Sequence, residues 1–347
     1  MAAPSLIEQD LFTSGSNGYH TYRIPTLAVT NSGTLLAICE GRKCNTIDYG
    51  HINLVFRRST DNGQTWEPMQ IIWDGRANTA GNPAPVVDRH TGTIWLLCAL
   101  NNRQLFAIKS SDDGLSWSEP EATLTGETWS RVGAGPCHGI QLAGGRLIVP
   151  GWIQAVPGPH PVNYSQVFYS DDHGRTWCMG AQVGPYMNES VAVELDSGDL
   201  YLNMRNYTNR RAFAVSRDGG ETFGDIAFDE ALIDSECQAS MIRYTGADGG
   251  GGRSRILFAN PACDKILFGY FKRYTMTVRV SEDQCRTWAH ARVLHLGSVA
   301  YCDLAIAADG TIFCLYERAD FPRCLYEKIR LARFNIEWLT DGANHLS

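Results

Sequence analysis

The sequence of 347 residues contains no long apolar run and no excess of basic residues. No stretch approaches the roughly 20 apolar residues that a membrane-spanning helix needs, so we expect no membrane span. The formal net charge of −7 argues against nucleic acid or an anionic membrane surface as a partner. It does not exclude a small anionic ligand, because such a ligand responds to the local charge of its site.

The sequence also lacks the C-x-x-C spacing of many structural zinc sites, although it contains 11 cysteines. Cys39, Cys98 and Cys314 lie in apolar, strand-like runs, where a free thiol behaves as a small hydrophobic group. These features favour reduced thiols and a cytoplasmic location, and we expect neither a metal nor a cofactor. The start of the chain, Met1 to Pro4, has no basic or apolar segment of a secretory signal. A secreted protein whose signal was trimmed is the alternative.

No Pro- or Ser-rich linker interrupts the chain, and no long amphipathic helix is evident. We therefore expect residues 1–347 to form a single domain. The 34 glycines, 14 tyrosines, 13 phenylalanines and nine tryptophans favour β-structure with many turns.

An acidic turn with the pattern S-x-D-x-G-x-[ST]-[WF] occurs five times, beginning at Ser59, Ser110, Ser170, Ser216 and Ser281. The fifth copy has Cys285 where the others have glycine. Ser and Asp side chains bond nearby backbone groups, glycine accepts a positive φ, and the final aromatic ring fills space beside the turn. The copies could instead be calcium loops, but each supplies few carboxylates for that role. The pattern therefore favours a structural turn.

A β-hairpin with glycine at its turn alternates with the acidic turn. The sequence predicts six such hairpins, over residues 22–39, 82–100, 138–151, 189–204, 238–260 and 301–316, the fifth with its tip in the glycine-rich stretch 246–252. One hairpin and one outer strand pair per repeat predict an all-β, six-bladed β-propeller. Residues 329–334 and the start of the chain would complete the outer strands and close the ring. A β-sandwich or barrel is the alternative, but it does not explain the spacing.

The residues before the first strand and after the second strand of each hairpin share one end of the predicted propeller. Hairpins one, four and six place charged or tyrosine side chains there: Arg23, Arg42, Glu189, Arg205, Tyr301 and Glu317. Any one of them could be a solvated strand end. Several such residues converging on one axis predict a functional site, because loops on a rigid scaffold usually carry function.

The motif Tyr22-Arg23-Ile24-Pro25, together with the five acidic turns, resembles the sialidases (neuraminidases) of bacteria and animals. In that family the two features are called the Y-R-I-P motif and the Asp box. The resemblance extends over residues 22–334 and implies a retaining exo-α-sialidase that removes terminal sialic acid from sialylated glycoproteins or glycolipids. Three alternatives stay open: a trans-sialidase, a hydrolase for a related nonulosonic acid, and a non-catalytic propeller that binds glycan.

The resemblance implies catalytic roles for three residues. Asp48, in the segment after Glu40-Gly41-Arg42, matches the acid/base, and Glu189 and Tyr301 match the base and nucleophile pair. Taken alone, Asp48 could be an ordinary turn residue and Tyr301 a core aromatic.

The resemblance implies binding roles for five more residues. Arg23, Arg205 and Arg273 match three arginines that clamp the substrate carboxylate, Arg42 matches a further arginine near the acid/base, and Glu317 matches a carboxylate that holds Arg23. Taken alone, Arg273 could be half of a solvated basic pair with its neighbour.

The chemistry of sialic acid agrees with these roles. Its carboxylate is on the anomeric carbon, so a carboxylate nucleophile would meet like charge, whereas a tyrosine hydroxyl is neutral. Guanidinium groups bind carboxylates with forked hydrogen bonds that lysine does not reproduce. Because the reference pKa of tyrosine is about 10, the nucleophile needs a base beside it.

Overall fold

A computed structural model of the chain describes residues 2–124, 129–155, 161–246, 254–266, 272–320 and 326–344. The first 12 strands are β1 (Leu6–Thr13), β2 (Thr21–Val29), β3 (Leu35–Arg42), β4 (Ile52–Ser59), β5 (Gln70–Trp73), β6 (Ala80–Val87), β7 (Ile94–Leu100), β8 (Gln104–Ser110), β9 (Glu121–Thr123), β10 (Trp129–Ala134), β11 (Ile140–Gln141) and β12 (Leu147–Ala155). The remaining elements are β13 (Asn163–Ser170), β14 (Cys178–Val183), β15 (Ser190–Glu194), β16 (Leu200–Met204), β17 (Arg210–Ser216), β18 (Ala227–Ile233), β19 (Ser240–Thr245), β20 (Arg255–Pro261), β21 (Tyr274–Ser281), β22 (His290–Ile306), β23 (Ile312–Ala319), β24 (Lys328–Phe334) and the short helix α1 (Ile336–Leu339).

The strands form antiparallel sheets in which sequential neighbours usually pair. Strands β2–β5, β6–β9 and β15–β18 each make a four-stranded sheet, and β10–β14 make one in which β10 and β11 both pair with β12. The largest sheet has seven strands in the order β1-β24-β23-β22-β21-β20-β19. The prediction of an all-β fold is therefore confirmed. The described strands fall into five sheets and not into the two packed sheets of a β-sandwich.

The long strand β22 belongs to two groups of strands. Its first part, His290 to Ser298, pairs with β21, and its second part, Ser298 to Ile306, pairs with β23. The seven-stranded sheet is thus two groups of four strands that share β22. Strand β1 pairs with β24, with Leu6 opposite Phe334, so the start of the chain completes the last group as predicted.

The predicted hairpins agree with the strands, with differences in the sixth and the third. In the sixth, the first strand is the last part of β22, which begins at His290, before the predicted start at residue 301. In the third, the inner strand is split into β10 and β11, and the sequence prediction, which began at residue 138, missed β10. Gly135, with a φ of 61°, and Pro136 lie between the two pieces. Proline has no N–H for the ladder, which explains the interruption. The predicted tip of the fifth hairpin, from residue 247 on, lies outside the described residues.

Apolar side chains fill the spaces between successive sheets. One hydrophobic cluster joins the first sheet to the last, with Leu27 and Leu35 against Phe313 and Leu315. Residues from β2, β6, β11, β15, β19 and β22 also line one shared cavity of about 510 Å³; examples are Leu27, Pro85, Ile140, Val193, Ile242 and Leu304. The innermost strands therefore surround a common axis.

The acidic turns connect the third and fourth strands of their groups. In the first copy, Asp61 Oδ1 accepts hydrogen bonds from Thr65 N at 2.9 Å, Gln64 N at 3.0 Å and Ser59 Oγ at 2.8 Å. Thr222 and Ser216 bind Asp218 in the same way. These carboxylates are occupied by their own turns, which supports the structural interpretation over a calcium loop.

Two expectations from composition can be compared with the structure. Cys39, Cys98 and Cys314 are buried and form no disulfide, as predicted. Within the described ranges, no helix has the length and apolar character needed to cross a membrane.

Candidate active site

The structure brings all eight predicted site residues together at one end of the inner hairpins. Four lie within strands: Arg23 in β2, Arg42 in β3, Tyr301 in β22 and Glu317 in β23. The other four lie in loops next to strands: Asp48 before β4, Glu189 before β15, Arg205 after β16 and Arg273 before β21. Direct polar contacts or ring contacts connect every member to at least one other.

Tyr301 and Glu189 form a buried pair. Tyr301 Oη donates a hydrogen bond to Glu189 Oε1. Glu189 Oε2 pairs with Arg205 Nη1 at 2.6 Å, and the same nitrogen lies 3.2 Å from Tyr301 Oη. Burial, followed by the negative charge of Glu189, raises the pKa of Tyr301 well above its ordinary value, although Arg205 and Arg273 act in the opposite direction. The phenol is therefore neutral at rest, with a carboxylate placed to accept its proton.

Glu317 fixes Arg23 and the backbone of Tyr301 at the same time. Its Oε1 accepts from Arg23 Nε at 3.0 Å and from Ile24 N at 2.8 Å. Its Oε2 accepts from Arg23 Nη2 at 3.3 Å and from Tyr301 N at 3.0 Å. The carboxylate is fully buried, so these four donors compensate for its loss of water. One residue thereby holds an arginine and the tyrosine in a fixed relation.

The backbone of β2 is irregular where it enters the site. Ile24 has a φ of 57°, which is an outlier for a β-branched residue, and the register with β3 shifts between Arg23 and Thr26. The freed N–H of Ile24 donates to Glu317. Register shifts also occur in β6 and β22 near their site ends. Strain of this kind persists only where surrounding contacts over-determine the conformation, and it is concentrated at functional sites.

Asp48 lies in the loop between β3 and β4, against two arginines. Its Oδ1 is 2.8 Å from Arg42 Nη1 and 3.3 Å from Arg23 Nη1. Partial burial raises the pKa of Asp48, but the charges of Arg42 and Arg23 outweigh it and leave the pKa below its ordinary value. Arg42 is held in turn by Glu40, with Nη2–Oε2 at 2.7 Å. A ligand that neutralises these arginines would raise the pKa of Asp48.

Arg273 has no carboxylate partner among the residues that the structure describes. Its guanidinium lies 5.4 Å from the ring centroid of Tyr301 and contacts Tyr326 Oη at 3.3 Å and Glu236 O at 3.0 Å. Within the same described ranges, the buried Nε of Arg205 also lacks a hydrogen-bond partner. The site thus offers guanidinium donors that an anionic ligand could occupy with forked hydrogen bonds.

Sequence reasoning missed two residues that support the site. The ring of Tyr326 lies under Arg23, with 3.8 Å from Cζ to the ring centroid, a cation–π arrangement. Glu40 is part of the segment Glu40-Gly41-Arg42, but its role in holding Arg42 was not predicted. For Glu40 the available signal was a glutamate two residues before an arginine, at the end of an apolar strand. Tyr326 belongs to none of the repeated patterns and gave no signal.

Asp303 is a third residue that sequence reasoning missed. It is fully buried and accepts from Thr26 Oγ1 at 2.8 Å, His138 Nδ1 at 2.7 Å and Ser240 Oγ at 2.7 Å. These partners come from different inner strands or from the segment before β11, so Asp303 joins the inner strands near the axis. It lies two residues after Tyr301. A lone carboxylate within the apolar run of β22 was the signal, since buried charges need partners.

Comparisons with known proteins agree with this architecture. Residues 33–314 match the family model of the BNR repeat-like domain. A sialidase from Micromonospora viridifaciens is 35% identical over 370 aligned residues, which cover 97% of this chain and 55% of the relative. An exo-alpha-sialidase from Aspergillus fumigatus is 30% identical, with 94% of this chain and 87% of the relative covered. The chain thus spans little more than half the length of the first relative and most of the second.

A solved structure of the Hadza microbial sialidase Hz136 has a TM-score of 0.83 and 27% identity to this chain, covering 96% of this chain and 69% of the other. The fold is therefore of the propeller-like type that the repeats predicted. The matched repeat domain, the two relatives and the shared fold show that the chain belongs to the sialidase family of glycoside hydrolases.

Proposed function

We propose that this protein is a retaining exo-α-sialidase that hydrolyses terminal sialic acids of glycans and uses Tyr301 as its nucleophile. One observation carries the proposal: a buried Tyr301–Glu189 pair is surrounded by Arg23, Arg205 and Arg273, and Arg273 has no ion-pair partner within the described residues. A protein that only binds glycan has no need of a phenol that is hydrogen-bonded to a base able to take its proton. The names of the relatives, sialidase and exo-alpha-sialidase, support the same activity.

Substrate binding would begin at the three arginines. Arg23 is fixed by Glu317, and Arg205 by Glu189, so both guanidinium groups are oriented before substrate arrives. The sialic acid carboxylate would bind between them and Arg273. Preorganised forked donors lose little freedom on binding, which favours carboxylate recognition. Binding would also reduce the arginine charge acting on Asp48 and make its protonated form more accessible.

The first chemical step would form a bond from Tyr301 Oη to the anomeric carbon. The phenol proton passes to Glu189, and the bond from that carbon to the leaving oxygen breaks as Asp48 protonates the oxygen. In the second step the ionised Asp48 takes a proton from water. The water oxygen displaces Tyr301 from the carbon, and Glu189 returns a proton to the phenolate. Two displacements at one carbon retain its configuration, and each proton is carried by a side chain of the site.

We also propose that residues 1–347 form one domain with six blades. The strand pairings give six groups of four if β22 is counted in two groups and β10 and β11 as one broken strand. Support comes from the shared axial cavity lined by six inner strands. Support for closure comes from the cluster that packs the first sheet against the last.

The test of the activity is a fluorogenic sialoside assay followed by product analysis with defined α2-3 and α2-6 sialosides. Hydrolysis predicts release of free sialic acid, and early ¹H NMR spectra should contain the α-anomer first. Transfer of the sialyl group to a sugar acceptor instead of water would identify a trans-sialidase and contradict the hydrolase assignment. No turnover over a wide pH range, with protein shown to be folded by circular dichroism, would exclude the hydrolase.

A further inference from the structure

A second cluster of ligand-type side chains lies at the hairpin-turn end, apart from the candidate active site. Asp88 and His90 are in the turn between β6 and β7, and His173 is in the third acidic turn, between β13 and β14. One carboxylate oxygen and two imidazole nitrogens from these residues all lie within 4.8 Å of one another. The proposed glycosidase steps use none of them.

The geometry places a fixed carboxylate beneath two accessible rings. His173 Nδ1 is 2.8 Å from Asp88 Oδ2, and His90 Nδ1 is 3.7 Å from Asp88 Oδ1. The side chain of Asp88 is fully buried, whereas those of His90 and His173 are 63% and 42% exposed. The ring centroids are 5.9 Å apart. Small rotations of the exposed rings would bring both nitrogens to one ion without moving Asp88.

The carboxylate of Asp88 is held by other donors. Its Oδ1 accepts from His90 N at 3.0 Å and from Gln141 Nε2 at 2.9 Å, and its Oδ2 accepts from Thr91 Oγ1 at 2.7 Å. Such outer contacts orient a metal ligand. An ion at this position would replace the proton between Asp88 and His173.

His90 can also be released at little cost. Its Nδ1 lies 3.1 Å from Gln141 Nε2. That amide nitrogen has two hydrogens but three possible acceptors, which are His90 Nδ1, Asp88 Oδ1 and Gly145 O at 3.0 Å. If His90 turned toward an ion, both hydrogens of Gln141 would keep an acceptor. No buried polar group would be left unpaired.

His173 is the fourth residue of its acidic turn, and the residue at this position in other copies contacts a neighbouring hairpin turn. In other copies, Asn62 Nδ2 donates to Asp309 at 2.9 Å, Ser32 Oγ donates to Asp113 at 2.7 Å, and Gln284 Nε2 donates to Asp196 at 2.9 Å. Each contact joins two strand groups. In the third copy this position is His173, which faces the carboxylate of Asp88. His90 lies beside the same carboxylate.

We propose that Asp88, His90 and His173 bind a divalent transition-metal ion of the zinc type, with water completing the coordination. The bound ion would link two neighbouring strand groups. Two imidazoles and one carboxylate suit zinc, whereas calcium and magnesium prefer oxygen ligands. The spacing hid the site from sequence reasoning, because His173 is distant along the chain from Asp88 and His90.

The test is isothermal titration calorimetry of the EDTA-treated, dialysed full chain with zinc chloride, in a background where the exposed thiols Cys44 and Cys178 are replaced by serine. We expect one zinc equivalent whose affinity falls at least about tenfold in His173→Asn and in His90→Asn. Asparagine is the residue that the first acidic turn has at the equivalent position, Asn62, so the turn should tolerate it. His51→Asn is the matched control, since His51 pairs with Asp74 elsewhere on the surface at 3.2 Å.

A second readout separates this site from the glycosidase site. Zinc should raise the melting temperature of the background protein, through preferential binding to the folded state, but not that of His173→Asn. Sialoside turnover should be the same in both proteins, which also shows that the variant is folded. Equal zinc affinity and stoichiometry in the background protein and both histidine variants, or no zinc binding by the background protein, would overturn the proposal.

Discussion

The phenol of Tyr301 is the residue on which the proposed chemistry depends. It is buried, neutral at rest and bonded to Glu189, and its backbone N–H is held by Glu317. The site therefore fixes both ends of the proposed nucleophile. A tyrosine in this position avoids the repulsion that a carboxylate would experience from the carboxylate of sialic acid.

Replacing Tyr301 by phenylalanine should abolish most turnover. We expect Tyr301→Phe to lower kcat by roughly 100- to 10,000-fold, because the ring still fills its space but no oxygen can attack. Binding of a transition-state-like sialic acid analogue, measured by calorimetry, should be largely retained. Turnover at the wild-type rate would show that Tyr301 is not the nucleophile.

Replacing Arg205 by lysine should weaken carboxylate binding although the charge is kept. Arg205→Lys loses the planar fork that Glu189 orients, so we expect at least about a tenfold rise in the Kd of a carboxylate-bearing analogue. Arg217→Lys, at an exposed position of the fourth acidic turn, is the matched control. Equal affinity in the Arg205 variant and the wild type would remove Arg205 from the site.

The pKa of Asp48 gives a prediction for pH dependence. As the acid of the first step, Asp48 must be protonated, so kcat/KM should fall as pH rises through its pKa. Arg42 lowers that pKa. Removing its charge in Arg42→Gln should therefore move the fall in kcat/KM to higher pH. Lys43→Gln is the control, because Lys43 stacks on Tyr19. An unchanged profile, or a shift to lower pH, would contradict the assignment of Asp48.

At the scale of single residues, family motifs predicted the eight residues that meet at the candidate site but not the residues that support them. Tyr326 and Asp303 support the site through contacts with residues distant in sequence, whereas Glu40 holds Arg42 two residues away. The long-range contacts depend on how strands distant in sequence come together. Short motifs contain no information about that placement.

At the scale of strands and turns, the acidic turn has two structural roles. Its aspartate caps its own turn, and its fourth residue contacts the hairpin turn of a neighbouring group in several copies. The repeat therefore stabilises the turn and joins groups side by side. It takes no part in the candidate active site.

Removing one acidic-turn aspartate should lower stability without changing catalysis. Asp218→Ala loses the acceptor for Ser216 Oγ at 2.7 Å and Thr222 N at 2.8 Å. We expect a loss of about 1–2 kcal/mol in the free energy of unfolding, measured by urea denaturation. Arg217→Ala, next to it and exposed, should change little. A fall in kcat/KM for Asp218→Ala at a temperature where it stays folded would contradict the separation of turn and site.

The hairpins could be predicted because glycine turns and alternating apolar runs are local signals. Two features of the sheets were not predicted. β10 was missed because Gly135 and Pro136 end the local strand pattern before β11. The continuity of β22, from His290 to Ile306, was missed because a strand shared by two groups depends on partners on both sides.

At the scale of the whole molecule, the first and last strands of the chain lie next to each other in one sheet. β1 pairs with β24, and Leu11 and Phe12 of β1 are buried against the first and last sheets. Pairing covers an edge that would otherwise expose unpaired backbone groups. The sequence predicted that residues 329–334 and the start of the chain complete the outer strands, because the sixth hairpin is not followed by an acidic turn.

Deleting residues 1–13 should therefore destabilise the entire protein. Loss of the buried side chains of β1 should cost at least about 3–5 kcal/mol, and the exposed edge of β24 should promote aggregation. Thermal unfolding with light scattering measures both effects. Deleting residues 1–4, which precede β1, is the control and should leave the melting temperature nearly unchanged. Equal stability of the two truncated proteins would contradict the proposed closure.

The most direct test of the account is to trap its covalent intermediate. A 2,3-difluoro sialic acid reagent should transfer its fluorosialyl group to the intact protein, because the fluorine at carbon 3 slows the second displacement. Mass spectrometry should then detect one added fluorosialyl group, and peptide mapping should place it on Tyr301, with no adduct in Tyr301→Phe. An adduct on Glu189 or Asp48, or turnover of sialosides with no adduct on Tyr301, would contradict the proposed mechanism.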